Sequence, residues 1–537
     1  MLEVTLKGIT GHKAEFEAAG VELPKYDVKA VQEYSSEHPV WMHCGAGNIF
    51  RGFVASLQQD LLNQGLQKSG IQTVSCYDGA IIDEVYKPHD HLTMEVTLMP
   101  DKSTVLRVIG SVVDGLKLNG TAPEDQVKAH KLFANPSLQM LSYTITEKGY
   151  AIYGMDGGLT EQVKKDIEGG PETCRHAMSQ TAALLLTRFK AGAFPIAIVS
   201  MDNCSHNGDK VKSAVLTIAK AWQEKGFVGQ DFIDYITDGK KVSFPCTMID
   251  KITPRPDPEI AQMLKDKGIG GMDPLKTARG SFIAPFVNAE KPQYLVVEDD
   301  FPNGRPPLEK AGVLFTNKEG VDLCERMKVT TCLNPLHTAL AVLGCIFGYT
   351  RISAEMEDED LVKLVKKLGY DEGLPVVDDP KILSPRAFLT EVIEERLTNK
   401  CLPDSPQRIA TDTSQKVPVR FGETLKNYQK KGLDASKLIA LPIAIAGWLR
   451  YLLALDDNGK PFELSDDPLN AELQEKLSGI VFGQPDTIGD KLHSILSNSS
   501  LFGVDLYAVG LGPKVEGLFA QMVAGPGAVR AVLKQYL

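Results

Sequence analysis

The sequence predicts an α/β protein: a Rossmann-like, doubly wound N-terminal domain followed by a mainly α-helical C-terminal domain. Three observations carry this. A short apolar run at 39–44 enters the turn Gly45-Ala46-Gly47-Asn48, and Ile49, Phe53, Val54, Leu57 and Leu61 then repeat at helical spacing. Strand-like and helix-like segments alternate to about residue 315, as in doubly wound folds. Beyond that point almost every segment is helix-like.

Length fits this division, since 537 residues exceed one ordinary domain. The expected organisation is an N-terminal extension at 1–36, a dinucleotide-binding domain at 37–315 and a helical substrate-binding and catalytic domain at 316–537. A formal charge of −11 without a basic run argues against a nucleic-acid partner. The N-terminus lacks the apolar core of a signal peptide, and the most apolar stretch, 438–455, is interrupted by Pro442 and Arg450. That stretch reads as a buried helix, with no membrane partner expected. Nine cysteines, odd in number and never in a CxxC pair, suit reduced thiols and a cytoplasmic protein.

Taken in order, the 39–61 stretch has the strand, glycine turn and helix of a dinucleotide-binding turn. Gly45 makes the tight turn, Gly47 lets backbone approach a pyrophosphate, and the helix N-terminus offers N–H donors. Phe50 stands where the third glycine of GxGxxG is expected, and Gly52 comes two residues later. A second strand at 71–76 leads to Asp78, either the acid that binds the adenosine ribose or a plain loop acid. Further strands are expected at 104–108, 195–199 and 294–297, and helices at 171–191 and 210–224. Polar clusters at 200–208, 250–255 and 298–307 follow strands, where open α/β sheets bind ligands. His89-Asp90-His91 reads as a loop rather than a metal pair, and no convincing zinc set is present.

In the second half, helices are expected at 318–329, 335–349, 353–369, 384–398, 421–431, 436–456, 467–478 and 514–536. The chain is organised around 327–348. A helix starting near Asn334, with Pro335 in its first turn, leaves Lys328, Asn334 and His337 at its N-terminal end. An amine, an amide and an imidazole suit proton transfer at a hydroxyl or carbonyl. The alternative is a solvated lysine, a capping asparagine and a core histidine.

Seven segments in order resemble the polyol-specific long-chain dehydrogenases, the mannitol dehydrogenase family. They are the GxGN turn with Arg51, SMDNCSHNG at 200–208, TMIDKITP at 247–254, and VEDDFPNGRPPLEKAGVLF at 297–315. Lys328 with Asn334 and His337, KVPVRFG at 416–422, and AGWLRY at 446–451 complete the set. The resemblance covers most of the chain after residue 38. It implies metal-independent hydride transfer between NAD and a sugar alcohol or sugar acid, with the active site in the cleft between the two domains.

By the same resemblance Lys328 is the general acid/base, and Asn203 and Asn334 polarise the carbonyl or alkoxide. His337 orients the substrate, Asp250 lies nearby, and Arg420 contacts the distal end. Gly45, Gly47, Asn48, Ile49, Arg51 and Asp78 form the cofactor-binding set. Asp78 at the ribose would disfavour a 2′-phosphate, hence NAD over NADP.

Two departures from the family pattern stand out. Five residues separate Lys328 from Asn334 where the family usually has four, which implies a bulge or a displaced lysine. The turn GAGNIFRGF lacks the Phe-x-Arg-x-His of mannitol 2-dehydrogenases and resembles the turns of tagaturonate reductases and mannitol-1-phosphate 5-dehydrogenases, and of these the chain's length is closer to the hexuronate reductases. The expected function is therefore an NAD-dependent hexuronate/aldonate oxidoreductase, D-fructuronate/D-mannonate first and D-tagaturonate/D-altronate next. A mannitol- or arabinitol-type polyol dehydrogenase is the second reading, and a catalytically silent dinucleotide-binding sensor the third. The expected assembly is a monomer or small homo-oligomer.

Overall fold

The computed structural model describes residues 1–537. The chain folds into two compact units, one of Met1–Met99 with Ser103–Asp322 and one of Pro100–Lys102 with Leu323–Leu537.

The first unit is built on six parallel strands: β1 (Trp41–Cys44), β2 (Ile71–Ser75), β3 (Val112–Lys117), β4 (Met140–Tyr143), β5 (Ile196–Ser200) and β6 (Val242–Ser243). Their order, β6-β5-β4-β1-β2-β3, is that of a doubly wound dinucleotide-binding sheet. Both faces are covered, so adjacent residues of one strand enter different cores. Met42 and Cys44 pack with Leu141, Ile196 and Ile198, while Trp41 packs with Ile71, Met140 and Val199. Helix α1 (Ala55–Asn63) follows β1, α2 (Ala177–Lys190) precedes β5, and α3 (Asn207–Glu224) joins β5 to β6. α2 starts at Ala177 rather than near Pro171, with His176 capping the Met178 N–H.

The first 36 residues contribute to this unit. Val21–Glu22 pairs with Leu106–Arg107 in a four-stranded sheet, and Leu2–Glu3 pairs with Ile269–Gly270. His89-Asp90-His91 helps to fasten them: His89 Nδ1 lies 2.9 Å from the Val4 carbonyl, and Asp90 accepts from the Leu6 N–H.

The second unit is helical. The chain enters it within α4 (Lys318–Met327), passes through a π-helical turn at Lys328–Cys332, and continues as α5 (Asn334–Phe347). This run, Lys318–Phe347, is long and apolar enough to cross a membrane, but 83% of its apolar window is buried inside the protein. α6 (Ala440–Tyr451) is buried along its whole length and packs on α5 and on α7 (Gly512–Val523). Gly447 permits this closeness, since a Cβ there would sit 2.9 Å from Leu343. The buried Arg450 guanidinium is satisfied by the carbonyls of Met522, Leu455 and Asp456.

Candidate active site

In the first unit a cavity of about 950 Å³ opens at the C-terminal ends of β1, β2 and β4, where the strand order reverses. Its floor is the glycine turn. Gly45 holds φ = +128°, and a Cβ there would lie 2.5 Å from the Thr144 carbonyl oxygen, so β1 can turn beside β4 only through glycine. At Gly47 a Cβ would meet nothing within 4 Å, leaving a cradle that a ligand backbone contact can fill. Gly52 takes over the packing task of the missing third glycine. A Cβ there would come within 3.1 Å of Val287 and 3.5 Å of Ala289, on the strand Phe286–Glu290. Phe50 is instead buried and stacks on His43 at 4.2 Å.

The candidate cofactor residues divide. Gly45, Gly47, Asn48 and Asp78 line the cavity, whereas Ile49 and Arg51 are not among its walls. Arg51 is fully buried and ties the turn to its surroundings, donating to the Ala284 carbonyl at 2.6 Å and to Asn48 Oδ1 at 3.0 Å. Asn48 in turn donates to the Pro254 carbonyl at 3.0 Å. Burial holds the Arg51 guanidinium below its ordinary pKa. Asp78, just past β2, accepts from the Ala80 N–H at 3.1 Å and from Thr277 Oγ1 at 2.7 Å.

Sequence reasoning missed the wall opposite. The hairpin formed by Leu275–Lys276 and Phe282–Ile283 carries Arg279, whose guanidinium lies 4.6 Å from the Tyr77 ring centre. Tyr77, Arg279, Arg175 and Lys148 line the cavity with Asp78, so cations outnumber acids on its surface. No motif marks this hairpin, and only folding brings it beside Asp78. The fit to a dinucleotide is good: an open glycine cradle, an acid at the end of the second strand, and cations to face phosphates.

Elsewhere in this unit, Asn203 lies beyond β5 and Asp250 ends the strand Thr247–Asp250, 6% exposed. Their segments are locked together. Asn207 donates to the Asp202 and Thr247 carbonyls at 3.0 Å, while Asp202 accepts from the Ile145 and Thr146 N–H groups and from Tyr150. Burial raises the Asp202 pKa.

In the second unit, Lys328 is 7% exposed and begins the π-helical turn, which absorbs one extra residue between it and Asn334. Of the two outcomes that the five-residue spacing implies, a bulge or a displaced lysine, the chain has the bulge, and Lys328 belongs to the helical run that leads into Asn334. Asn334 begins α5 with Pro335 behind it, and His337 lies one turn on. Another π-helical turn, Pro418–Gly422, carries Arg420, which donates to Thr338 Oγ1 on α5 at 2.7 Å. Thr424 fixes the two turns together by donating to the Thr330 carbonyl at 3.0 Å. Lysine, asparagine, histidine and arginine thus converge on neighbouring turns of one helical unit.

His337 Nε2 lies 3.6 Å from the Asp404 carboxylate and makes no hydrogen bond. Burial pushes its pKa down to about 4, against the opposing pull of Asp404, so the ring is neutral near pH 7. Burial also lowers the pKa of Arg420 to about 10, still far above neutrality.

Residues 40–310 match the Mannitol dehydrogenase Rossmann domain, and residues 321–512 match the Mannitol dehydrogenase C-terminal domain. The chain is 50% identical over 526 residues to a D-mannonate oxidoreductase of Thermotoga maritima, covering 97% of each. Among solved structures it resembles a substrate-free D-sorbitol dehydrogenase, with TM-score 0.79, 28% identity, and 96% of this chain and 98% of that one covered. It also resembles the Pseudomonas fluorescens mannitol 2-dehydrogenase ternary complex with NAD and D-mannitol, with TM-score 0.66, 25% identity and 96% of each chain covered. With two domain matches spanning most of its length and a full-length relative at 50% identity, this chain belongs to the mannitol dehydrogenase family of oxidoreductases.

Proposed function

We propose that this protein is an NAD-dependent hexuronate reductase that interconverts D-fructuronate and D-mannonate, with D-tagaturonate and D-altronate as the next pair. The observation that carries the reading is the 50% identity over nearly full length to a D-mannonate oxidoreductase. Arg420 supports it, because a guanidinium is suited to bidentate recognition of a sugar-acid carboxylate. The cavity at the glycine turn is the proposed cofactor site. Gly45, Gly47 and the helix N-terminus behind them would receive the pyrophosphate, Asp78 the ribose hydroxyls, and Arg279 with Tyr77 the adenine end. When bound, NAD would supply the hydride acceptor for the alcohol, and NADH the hydride donor for the ketone.

The chain's own residues then handle the proton and the substrate. Lys328 removes the substrate hydroxyl proton in oxidation and gives it back in reduction. The side-chain N–H groups of Asn203 and Asn334 donate to the reacting oxygen as its charge changes. His337, kept neutral, hydrogen-bonds a substrate hydroxyl, with Asp250 as a further polar contact. The protein is proposed to act in the cytoplasm as a monomer or small homo-oligomer, with no nucleic-acid or membrane partner.

The test is NADH oxidation with D-fructuronate, D-tagaturonate, D-fructose and fructose 6-phosphate, with NADPH in parallel. Turnover confined to D-fructuronate or D-tagaturonate with NADH supports the proposal. Turnover of D-fructose alone makes the protein a polyol dehydrogenase, and NADH binding without turnover makes it a sensor.

A further inference from the structure

β1 and β2 are neighbouring strands of the sheet, and Cys44 at the end of β1 lies beside Cys76, one residue past the end of β2. Cys44 is the last residue of β1, 3% exposed, directly before Gly45. Cys76 follows β2, is half-buried, and forms part of the cavity wall two residues before Asp78. Their Sγ atoms are 2.9 Å apart, less than 1 Å beyond the bond length of about 2.05 Å found in disulfides. Both are thiols in this structure. The two segments they terminate carry the glycine turn and Asp78. Whatever joins these sulfurs therefore joins the pyrophosphate end of the cavity to its ribose end.

We infer that Cys44 and Cys76 form an oxidation site at which a hydroperoxide closes a disulfide that shuts off dinucleotide binding. The inference rests on the reading of this cavity as the cofactor site. Cys76 is the entry point because its side reaches the cavity, while Cys44 lies beneath it. The Cys76 sulfur attacks the peroxide, the O–O bond breaks, and water or an alcohol leaves, giving the sulfenic acid at Cys76. The Cys44 sulfur then gives up its proton and attacks Cys76 Sγ. The S–O bond breaks, water leaves, and the S–S bond forms. Two thiols have lost two electrons and two protons, and the peroxide has been reduced. A dithiol reductant reverses the cross-link. In the resting pair the neighbouring Cys76 thiol, and then burial, hold the Cys44 thiol well above its ordinary pKa, which argues against Cys44 as the sulfur that first meets the peroxide.

The cross-link draws the end of β1 toward Cys76 and pulls with it Gly45, the next residue, whose turn (φ = +128°) runs so close to the Thr144 carbonyl that no Cβ would fit. The turn must therefore distort. Coupling runs both ways: a dinucleotide lying over Cys76 shields it, so bound NADH slows the oxidation that disulfide formation uses to exclude NADH.

The experiment uses the full-length reduced protein. NADH affinity is measured by fluorescence titration before and after hydrogen peroxide, and again after dithiothreitol. Cross-linked peptides are mapped by mass spectrometry, with oxidation run with and without saturating NADH. The same ratio of oxidised to reduced affinity is measured for Cys44→Ala and Cys76→Ser. The expected result is a Cys44–Cys76 cross-link, at least a tenfold loss of NADH affinity restored by dithiothreitol, and at least tenfold slower cross-linking under NADH. Cys76→Ser should bind NADH equally well before and after peroxide, and Cys44→Ala should form no cross-link. A protein that binds NADH but forms no such cross-link, or that keeps its affinity when cross-linked, overturns the proposal. A reduced protein that binds no NADH overturns the cofactor reading and the regulatory half of this proposal with it, while the mass map still decides the cross-link.

Discussion

The glycine turn of the first unit and the lysine-bearing helical run of the second solve opposite problems. At Gly45 and Gly47 the backbone itself is the proposed functional group: the Thr144 carbonyl leaves no room for a Cβ at the first, while at the second a Cβ would meet no protein atom and would fill only the space proposed for the ligand. At Lys328, Asn334, His337 and Arg420 the side chains are the proposed functional groups, and the backbone sets their positions. It does so through π-helical turns, at Lys328–Cys332 and at Pro418–Gly422, where one added residue rotates the next turn of helix. Lost side chains should therefore stop chemistry in one region, while added side chains should stop binding in the other.

The largest effect is expected at the lysine. Lys328→Ala should lower kcat by about 10²–10⁴-fold, the usual worth of a positioned general acid/base, with NADH affinity within twofold of wild type. Stopped-flow or steady-state NADH oxidation reads the first, fluorescence titration the second. At the turn, Gly47→Val should weaken NADH binding by about 10–100-fold, or about 1.4–2.8 kcal/mol, without moving the Tm, because nothing lies within 4 Å of the new Cβ. Gly45→Ala sharpens the contrast. Its cost, about 1–3 kcal/mol for a non-glycine residue forced into this conformation, should appear as a lowered Tm in calorimetry. Asp78→Ala should weaken NADH binding about tenfold, as loss of a charged hydrogen bond does, and narrow the preference over NADPH.

The smallest effect concerns pH. His43 and His337 are held neutral in the folded protein, with pKa values lowered by burial to about 3 and about 4. Above about pH 6.5, the ordinary histidine value, folded and unfolded chains bind no proton at these sites and the full stability is present. Below it the unfolded chain takes up protons that the folded one refuses. Stability therefore falls from about pH 6.5 downward, through about pH 4 for His337 and about pH 3 for His43. Scanning calorimetry at about pH 7.5 and about pH 5, either side of the ordinary histidine value, should show a lower Tm at the acid end, and His43→Asn should reduce that drop.

The contrast also accounts for what could be read in the residues. The turn was legible because glycine is the one residue type whose absence of a side chain is itself a signal, and because a strand before it and a helix after it frame the pattern. Strands such as Ile196–Ser200 and Tyr294–Glu298 were legible from apolar runs, and the fully buried Ala440–Tyr451 from its apolar character despite Pro442 and Arg450. The π-helical turn at Lys328 was not, since its residues keep ordinary helical composition and only the count to Asn334 hints at it. The displaced packing glycine, Gly52, was visible but could not be assigned its task without Val287 and Ala289 beside it. The same holds for Arg51. Its place in GxGN suggested a ligand contact, while its guanidinium meets the backbone carbonyl of Ala284, 233 residues on. Arg279 and Tyr77 were invisible for the same reason: their partnership is tertiary.

The most direct test of this division of labour measures two quantities on each of two variants, Lys328→Ala and Gly47→Val: NADH affinity by fluorescence, and kcat with D-fructuronate at saturating NADH. The account predicts a crossed result, with binding kept and turnover lost for Lys328→Ala, and binding weakened with turnover largely recovered at high NADH for Gly47→Val. Turnover surviving in Lys328→Ala, or NADH affinity untouched in Gly47→Val, would contradict it.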